Sequence, residues 1–253
     1  MKSIVTITAI ALGVTASPAL AQDEEDWSGA YIGIQSGYTG TKSDTTVALS
    51  GQWSVETQAL RDFFSNNMGA RQSDGSPNTG VVLGYNVQTG GAVLGVEGEF
   101  TYLNGGETIQ RGPLAVPTFP TLSYSYMNII EPKHHFALKA KAGVPLGRTL
   151  LYVDGGWAWT KARLGVNVQS NGNYRKAALV DRTMDGFIVG GGIEHRLGNN
   201  VSVRLSYQYA DQGDETYTTA YQPGSSFTTP AYTETVTQDL RLHLVRVGVY
   251  YRF

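Results

Sequence analysis

Cysteine is absent from the 253 residues, so neither a disulfide framework nor a thiolate metal site is available. Charged residues are sparse at 16%, against roughly a quarter in ordinary soluble domains. The net charge of −2 leaves no basic footprint for nucleic acid, and no nucleic-acid partner is expected. Long apolar runs are missing too: past residue 21 no run of ~18 consecutive apolar residues occurs, which excludes a helical membrane bundle. It does not exclude a membrane β-barrel, where only every second residue of a strand meets lipid. What the chain has in quantity is glycine, 31 residues, and tyrosine, 15.

Residues 1–21 read as a signal peptide. Lys2 supplies the positive start, Ile4 to Val14 the short apolar run, and Ala19-Leu20-Ala21 an A-x-A site with cleavage after Ala21. Residues 22–28 form an acidic leader, and 29–253 are expected to form one barrel domain.

Period-two alternation then recurs eight times. The expected strands are Ala30–Thr39, Asn78–Gln88, Ala92–Tyr102, His134–Pro145, Thr149–Arg163, Met184–Arg196, Val201–Ala210 and Asp239–Phe253. One short amphipathic helix, Glu56–Met68, interrupts the first long connection, with Leu60, Phe63, Phe64 and Met68 at helical spacing. The connections alternate long, short, long, short, long, short, long. The short ones are turns at Thr89-Gly90-Gly91, Leu146-Gly147-Arg148 and Leu197–Asn200. The long ones are residues 40–77, 103–133 (with Pro113, Pro117, Pro120 and Pro132), 164–183 and 211–238. In an antiparallel meander all four long connections fall at one end. This predicts an all-β protein: an eight-stranded antiparallel up-and-down transmembrane β-barrel with four long extracellular loops and three short periplasmic turns. A soluble ligand-binding barrel is the competing architecture. Its lumen should be apolar, whereas here the charges lie opposite the valines.

The apolar parity is therefore assigned to lipid. Trp157, Trp159, Tyr207 and Tyr209 are expected near strand ends as an aromatic girdle. The other parity, the lumen, carries Glu97, Glu99, Asp154 and Glu194 with Lys139, Lys141, Arg196, Arg204, Arg246 and Arg252. An eight-stranded barrel is just wide enough for side chains to fill, and unpaired buried charges are costly. An interlocked ion-pair plug follows, with a narrow pore as the alternative. Leu240, Leu242 and Leu244 fall on the lumen parity as well. Either they form an apolar lid or a bulge shifts register there.

Trp27-Ser28-Gly29-Ala30-Tyr31-Ile32-Gly33 resembles the W-x-G-x-Y-x-G opening of proteobacterial outer-membrane β-barrel proteins of the opacity-protein and Omp25-Omp31-like porin family. Gly84-Tyr85, followed by Gly95-Val96-Glu97-Gly98-Glu99, resembles that family's first hairpin. Tyr251-Arg252-Phe253 resembles the signature read by the barrel-assembly machinery, which makes Tyr251 and Phe253 the expected assembly signal. The resemblance implies an outer-membrane location, contact with the bilayer and lipopolysaccharide, and loops that present a variable surface to an extracellular partner. The role expected is a surface-structural and interaction scaffold. Alternatives are a narrow porin, then a haem-binding or lipid-modifying barrel.

No cofactor, metal or catalytic residue is expected. Three histidines, His134, His135 and His243, are placed near the extracellular rim, where a cluster could ligate haem iron or a metal. Ser123, Ser125, Glu131 and His134/His135 share one loop-to-strand region, but no nucleophile-elbow or metalloprotease motif accompanies them. The chain is not expected to be an enzyme. Lys161, Arg163, Arg175, Lys176, Arg182, Arg241 and Arg246 are candidates for lipopolysaccharide phosphates.

Overall fold

The computed structural model describes residues 26–253. The expected signal peptide, its cleavage after Ala21, and residues 22–25 of the leader lie outside the described residues. The strands are β1 Gly29–Gly51, β2 Ala70–Thr89, β3 Ala92–Leu103, β4 Glu107–Val116, β5 Phe119–Leu146, β6 Thr149–Ser170, β7 Arg175–Arg196, β8 Val201–Thr218, β9 Ala220–Tyr221 and β10 Tyr232–Arg252. Eight of them form a closed antiparallel ring in the order β1-β2-β3-β5-β6-β7-β8-β10. Closure comes from β10 pairing with β1 over a register from Tyr31↔Arg252 to Gly51↔Tyr232. A closed ring leaves no unpaired backbone edge, which is what a low-dielectric surrounding demands.

All three short connections sit at one end, the turn end, as expected. Gly90 and Gly147 take positive φ, 55° and 59°, which lets the chain reverse in two residues. The other end differs from expectation. Strands run far beyond the predicted limits, to 28 residues in β5. Much of the four long connections is therefore wall, not loop. Residues 103–133 contain β4 and the upper half of β5, which pair as a hairpin. Residues 164–183 are mostly the upper parts of β6 and β7, joined by a turn over 171–174.

Of the prolines that signalled a loop, Pro117 lies in the β4–β5 turn, whereas Pro113 and Pro132 lie where a strand tolerates them. Pro113 falls in an irregularity of the β4–β5 ladder, on a strand that pairs only with β5. Pro132 sits at a register shift between β5 and β6. That shift, at Lys133, also exchanges the faces of β5. Below it odd-numbered residues point inward; above it Tyr124, Tyr126, Asn128 and Ile130 do.

Outward-facing apolar residues form a continuous exposed belt. It runs from Val245 along β10 to Phe253, and along β8 from Val201 to the half-buried Tyr209. Nine residues on each match the ~9–11 of a membrane-crossing strand. An exposed apolar surface this extensive is explained by lipid, not water. Trp157, Trp159, Tyr207 and Tyr209 lie on its upper margin. They are mid-strand because the strands continue past the belt. Trp159 meets Phe136 at 5.7 Å, and Tyr209 meets His243 at 5.1 Å and Phe187 at 6.0 Å. The Trp157 indole donates to Asp185 at 2.9 Å.

Candidate functional site

The interior is layered, and each layer follows from which inward positions the register brings opposite one another. At the turn end, Trp27 is fully buried. Its backbone N–H donates to Gln88 at 2.8 Å, and the guanidiniums of Arg196 and Arg252 lie 4.7 and 5.3 Å from its ring centroid. Arg196 donates to the carbonyl of Asp26, and Arg252 to that of Trp27.

Above this comes the charged layer. Register places Glu97 opposite Lys139, and Glu194 opposite Arg204. Glu97 accepts from Arg204 at 2.7 Å, Lys141 at 2.9 Å and the Tyr31 hydroxyl at 2.6 Å. Lys139 reaches Glu99 at 2.8 Å, Asp154 at 3.3 Å and Glu97 at 3.4 Å. Arg204 also donates to Glu194 at 2.7 Å. Arg246 donates to Glu99 and Gln208. Arg252 lies 3.5 Å from Glu194. Four carboxylates and the cations Lys139, Lys141, Arg204, Arg246 and Arg252 thus meet in one buried lattice. Arg196 lies beside Trp27, next to Arg252.

Glycines make room for the rings within it. A Cβ on Gly33 would stand 2.2 Å from the Tyr250 ring, and one on Gly84 2.3 Å from that of Tyr31. Here the absence of a side chain is a packing requirement.

Higher still the interior turns apolar. Leu240, Leu242 and Leu244 are fully buried beside Ala158, Ala162, Ile188 and Ala210. The alternation of β10 never breaks, so the leucines form the lid. A bulge exists, but on the neighbouring strand. β8 slips between Asp211 and Asp214 against β10, with Gly213 at φ 66°. Above it Tyr217, an odd-numbered residue, points inward in place of the even-numbered set below.

The first long connection folds into this mouth. A 3-10 helix, Gln52–Val55, leads through the N-cap Thr57 to helix α1, Gln58–Met68. Its spacing directs Leu60, Phe64 and Met68 into the barrel. Trp53 packs on Phe64 at 4.3 Å, and its indole donates to Glu234 at 2.7 Å. Glu234 is fully buried. It also accepts from the hydroxyls of Tyr174 and Thr219, and its carboxylate lies 2.5 Å from Lys176 Nζ. Strands β7 and β10, the turn at Tyr174, the link at Thr219 and the inserted connection are therefore tied to one carboxylate.

Burial, reinforced by Glu56 and Glu234, pushes the Tyr124 phenol up to about 12. Burial raises Tyr126 and Tyr217 further, and burial with the Glu234 charge does the same to Tyr174. Neither Glu234 nor Trp53 stood out in the sequence. The signal was the parity of β10 continuing upward through Gln238, Val236 and Glu234.

The histidines do not gather. His134 stacks against Phe100 on the outer wall at 5.8 Å, and His243 faces Tyr207 and Tyr209. His135 is buried inside against Thr160 at 2.9 Å. Adjacent residues of a strand point to opposite faces, so His134 and His135 cannot share a ligand. Ser125 and His135 lie ten residues apart along one strand, roughly 33 Å, well outside hydrogen-bond reach. Of the cations considered for phosphates, Lys176 and Arg246 are interior. Arg163 pairs with Asp181 at 3.2 Å, Arg182 with Glu215 at 3.7 Å, and Arg241 with Asp44 at 2.5 Å. Lys161 and Arg175 are exposed on the outer wall.

The family model of the outer membrane protein beta-barrel domain matches residues 7–253. The 31 kDa outer-membrane immunogenic protein of Brucella melitensis is 25% identical over 240 residues, covering 94% of this chain and 88% of that protein. The 25 kDa outer-membrane immunogenic protein of Brucella abortus is 23% identical over 239 residues, covering 94% and 84%. Among solved structures, neisserial surface protein A aligns over 87% of this chain and 99% of its own, at 13% identity and a TM-score of 0.36.

Proposed function

The chain belongs to the outer-membrane protein β-barrel family, and from that premise we propose that it is a surface-structural and interaction scaffold with a closed lumen. It is an integral protein of the bacterial outer membrane. On this reading the barrel is the anchor and the mouth is the working surface. The observation that carries it is the continuous filling of the interior: Trp27 at the turn end, the ion-pair lattice above it, then the leucine lid and α1. A water path needs connected space, and buried side chains in each of these layers argue against one.

The parts have distinct roles under this proposal. Glu97, Glu99, Asp154 and Glu194 with their cations form the plug. Trp157, Trp159, Tyr207 and Tyr209 anchor the upper membrane interface. Tyr251 and Phe253, exposed on the lipid face with rings 5.3 Å apart, are what the assembly machinery reads. Lys161 and Arg175 face the lipopolysaccharide layer. Residues 1–21 act as the export signal.

Conductance tests the closed lumen. Folded protein reconstituted in planar bilayers is expected to be silent. Reproducible unitary steps would establish the narrow-porin reading instead. For the scaffold role, deleting residues 58–68 should alter partner binding while the barrel keeps its heat-modifiable gel mobility.

A further inference from the structure

Beside α1 the mouth holds a cavity of about 290 Å³, at the lower end of the ~300–1,000 Å³ of small-molecule sites. Its walls include Trp53, Tyr124, Tyr174 and Tyr232. Their rings stand close to perpendicular. Trp53 and Tyr232 meet at 77° and 4.9 Å, Trp53 and Tyr174 at 80° and 6.2 Å, and Tyr174 and Tyr232 at 79° and 5.7 Å. Tyr124 stands at 82° to Tyr174. Rings set at right angles around one space form the walls of a box, which two stacked rings cannot do. Among the described residues that line the cavity, Glu56 is the only charged one. Its carboxylate accepts from the Tyr232 hydroxyl at 2.5 Å, which holds it at the rim. Glu234 beneath is matched by Lys176, so the lining keeps one negative charge.

We propose that this aromatic box binds a small monovalent organic cation of the quaternary-ammonium class, with the ring faces around the cationic head and Glu56 as its counter-charge. The negative quadrupole faces of Trp and Tyr attract such a head, and its methyl groups fill an apolar lining that a hydrated metal ion would not. Glu56 selects against ligands carrying an anion next to the cation, because like charges at the rim repel. The phenols stay neutral under this charge: burial and the hydrogen bond to Glu56 raise that of Tyr232. The inference rests on the scaffold reading only in taking the mouth as the exposed end. A conducting lumen would overturn that reading and leave this one standing.

The test is calorimetric titration of the whole folded protein in maltoside micelles, which carry no ammonium group. Choline, its uncharged isostere 3,3-dimethyl-1-butanol and glycerophosphocholine are compared. Choline should bind saturably, roughly tenfold more tightly than either. Glu56→Gln should remove most of that preference over the isostere while heat-modifiable mobility is unchanged. Trp53→Leu, should it loosen the mouth, is replaced by Tyr124→Leu, which should weaken choline with Glu56 intact. No saturable choline binding, equal binding of choline and the isostere, equal binding of glycerophosphocholine, or an unaltered preference in Glu56→Gln would each overturn the proposal.

Discussion

Replacing Glu97 by Gln tests whether the lumen lattice holds the barrel together. The substitution keeps shape and removes one charge from a group that is 1% exposed. Its cations then fare differently. Lys139 keeps Glu99 at 2.8 Å and Asp154 at 3.3 Å, and Arg204 keeps Glu194 at 2.7 Å. Lys141 loses its carboxylate partner and keeps the Tyr31 hydroxyl at 2.8 Å and the rings of Tyr31 and Tyr152 at 4.6 and 5.2 Å. It becomes the uncompensated charge. Breaking one side of a buried pair costs about 3–5 kcal/mol, or roughly two to three and a half decades in the folding equilibrium. Removing the orphan should reverse most of this. In Glu97→Gln with Lys141→Met, stability should return to within ~1 kcal/mol of the parent, because an apolar replacement of a buried pair is often neutral. The assay is equilibrium unfolding in denaturant from micelles, read by heat-modifiable mobility and tryptophan fluorescence. A parental midpoint for Glu97→Gln, or a double variant as weak as the single, would refute the reasoning.

Further outcomes follow from the mouth. Glu234→Gln strands Lys176 and weakens the Trp53 indole contact. A cost of ~3–5 kcal/mol to mouth packing is expected, seen as a red shift in fluorescence with the membrane belt intact. Phe64→Ala removes a fully buried ring at the centre of the inserted helix, at ~3–5 kcal/mol. Proteolysis within residues 52–69 should then be fast while the remaining barrel resists. Alkaline pH should loosen the same region. The folded Tyr124 value of about 12 lies above the ordinary 10.0, so its contribution is complete below pH 10 and lost as pH rises towards 12. Tyrosinate absorbance should rise in step with protease sensitivity, and a mouth unaffected by pH 12 would count against it.

The extended mouth also changes how the surface is presented. Four mobile loops would have offered a contour set by local sequence alone. A wall of strands fixes it, because each rim residue is held by ladders on one or both sides. In the described residues, the freer segments between strands at this end are 104–106, 117–118, 171–174 and 222–231, together with the inserted 52–69. Substitutions that alter surface recognition without disturbing the barrel are expected there.

Much of the architecture is legible in single-strand periodicity. Inward and outward faces, eight crossings, three tight turns and the placing of charges of both signs on the inward face all follow from a repeat of two and from glycine-bearing turns. These are local properties, written within about ten residues each. Even the parity of Leu240, Leu242 and Leu244 was correct as it stood. What the alternation could not carry is everything that depends on closing the ring. Glu97 meets Arg204 across the lumen, 107 residues away, only because the stagger of all eight strands brings them to one height. The face exchanges at Lys133 and Gly213 each need one extra residue relative to a neighbour, and that is a property of a pair of strands. The prolines of residues 103–133 read as a loop because propensity sees no partner, and the β4–β5 ladder overrides it. The connection 52–69 turns inward because an eight-stranded mouth, once closed, leaves a cavity lined by Ile130, Val166 and Val236 that an apolar helix face fills. The residues recorded which side of the wall each would face; only the closed barrel decided what each would find there.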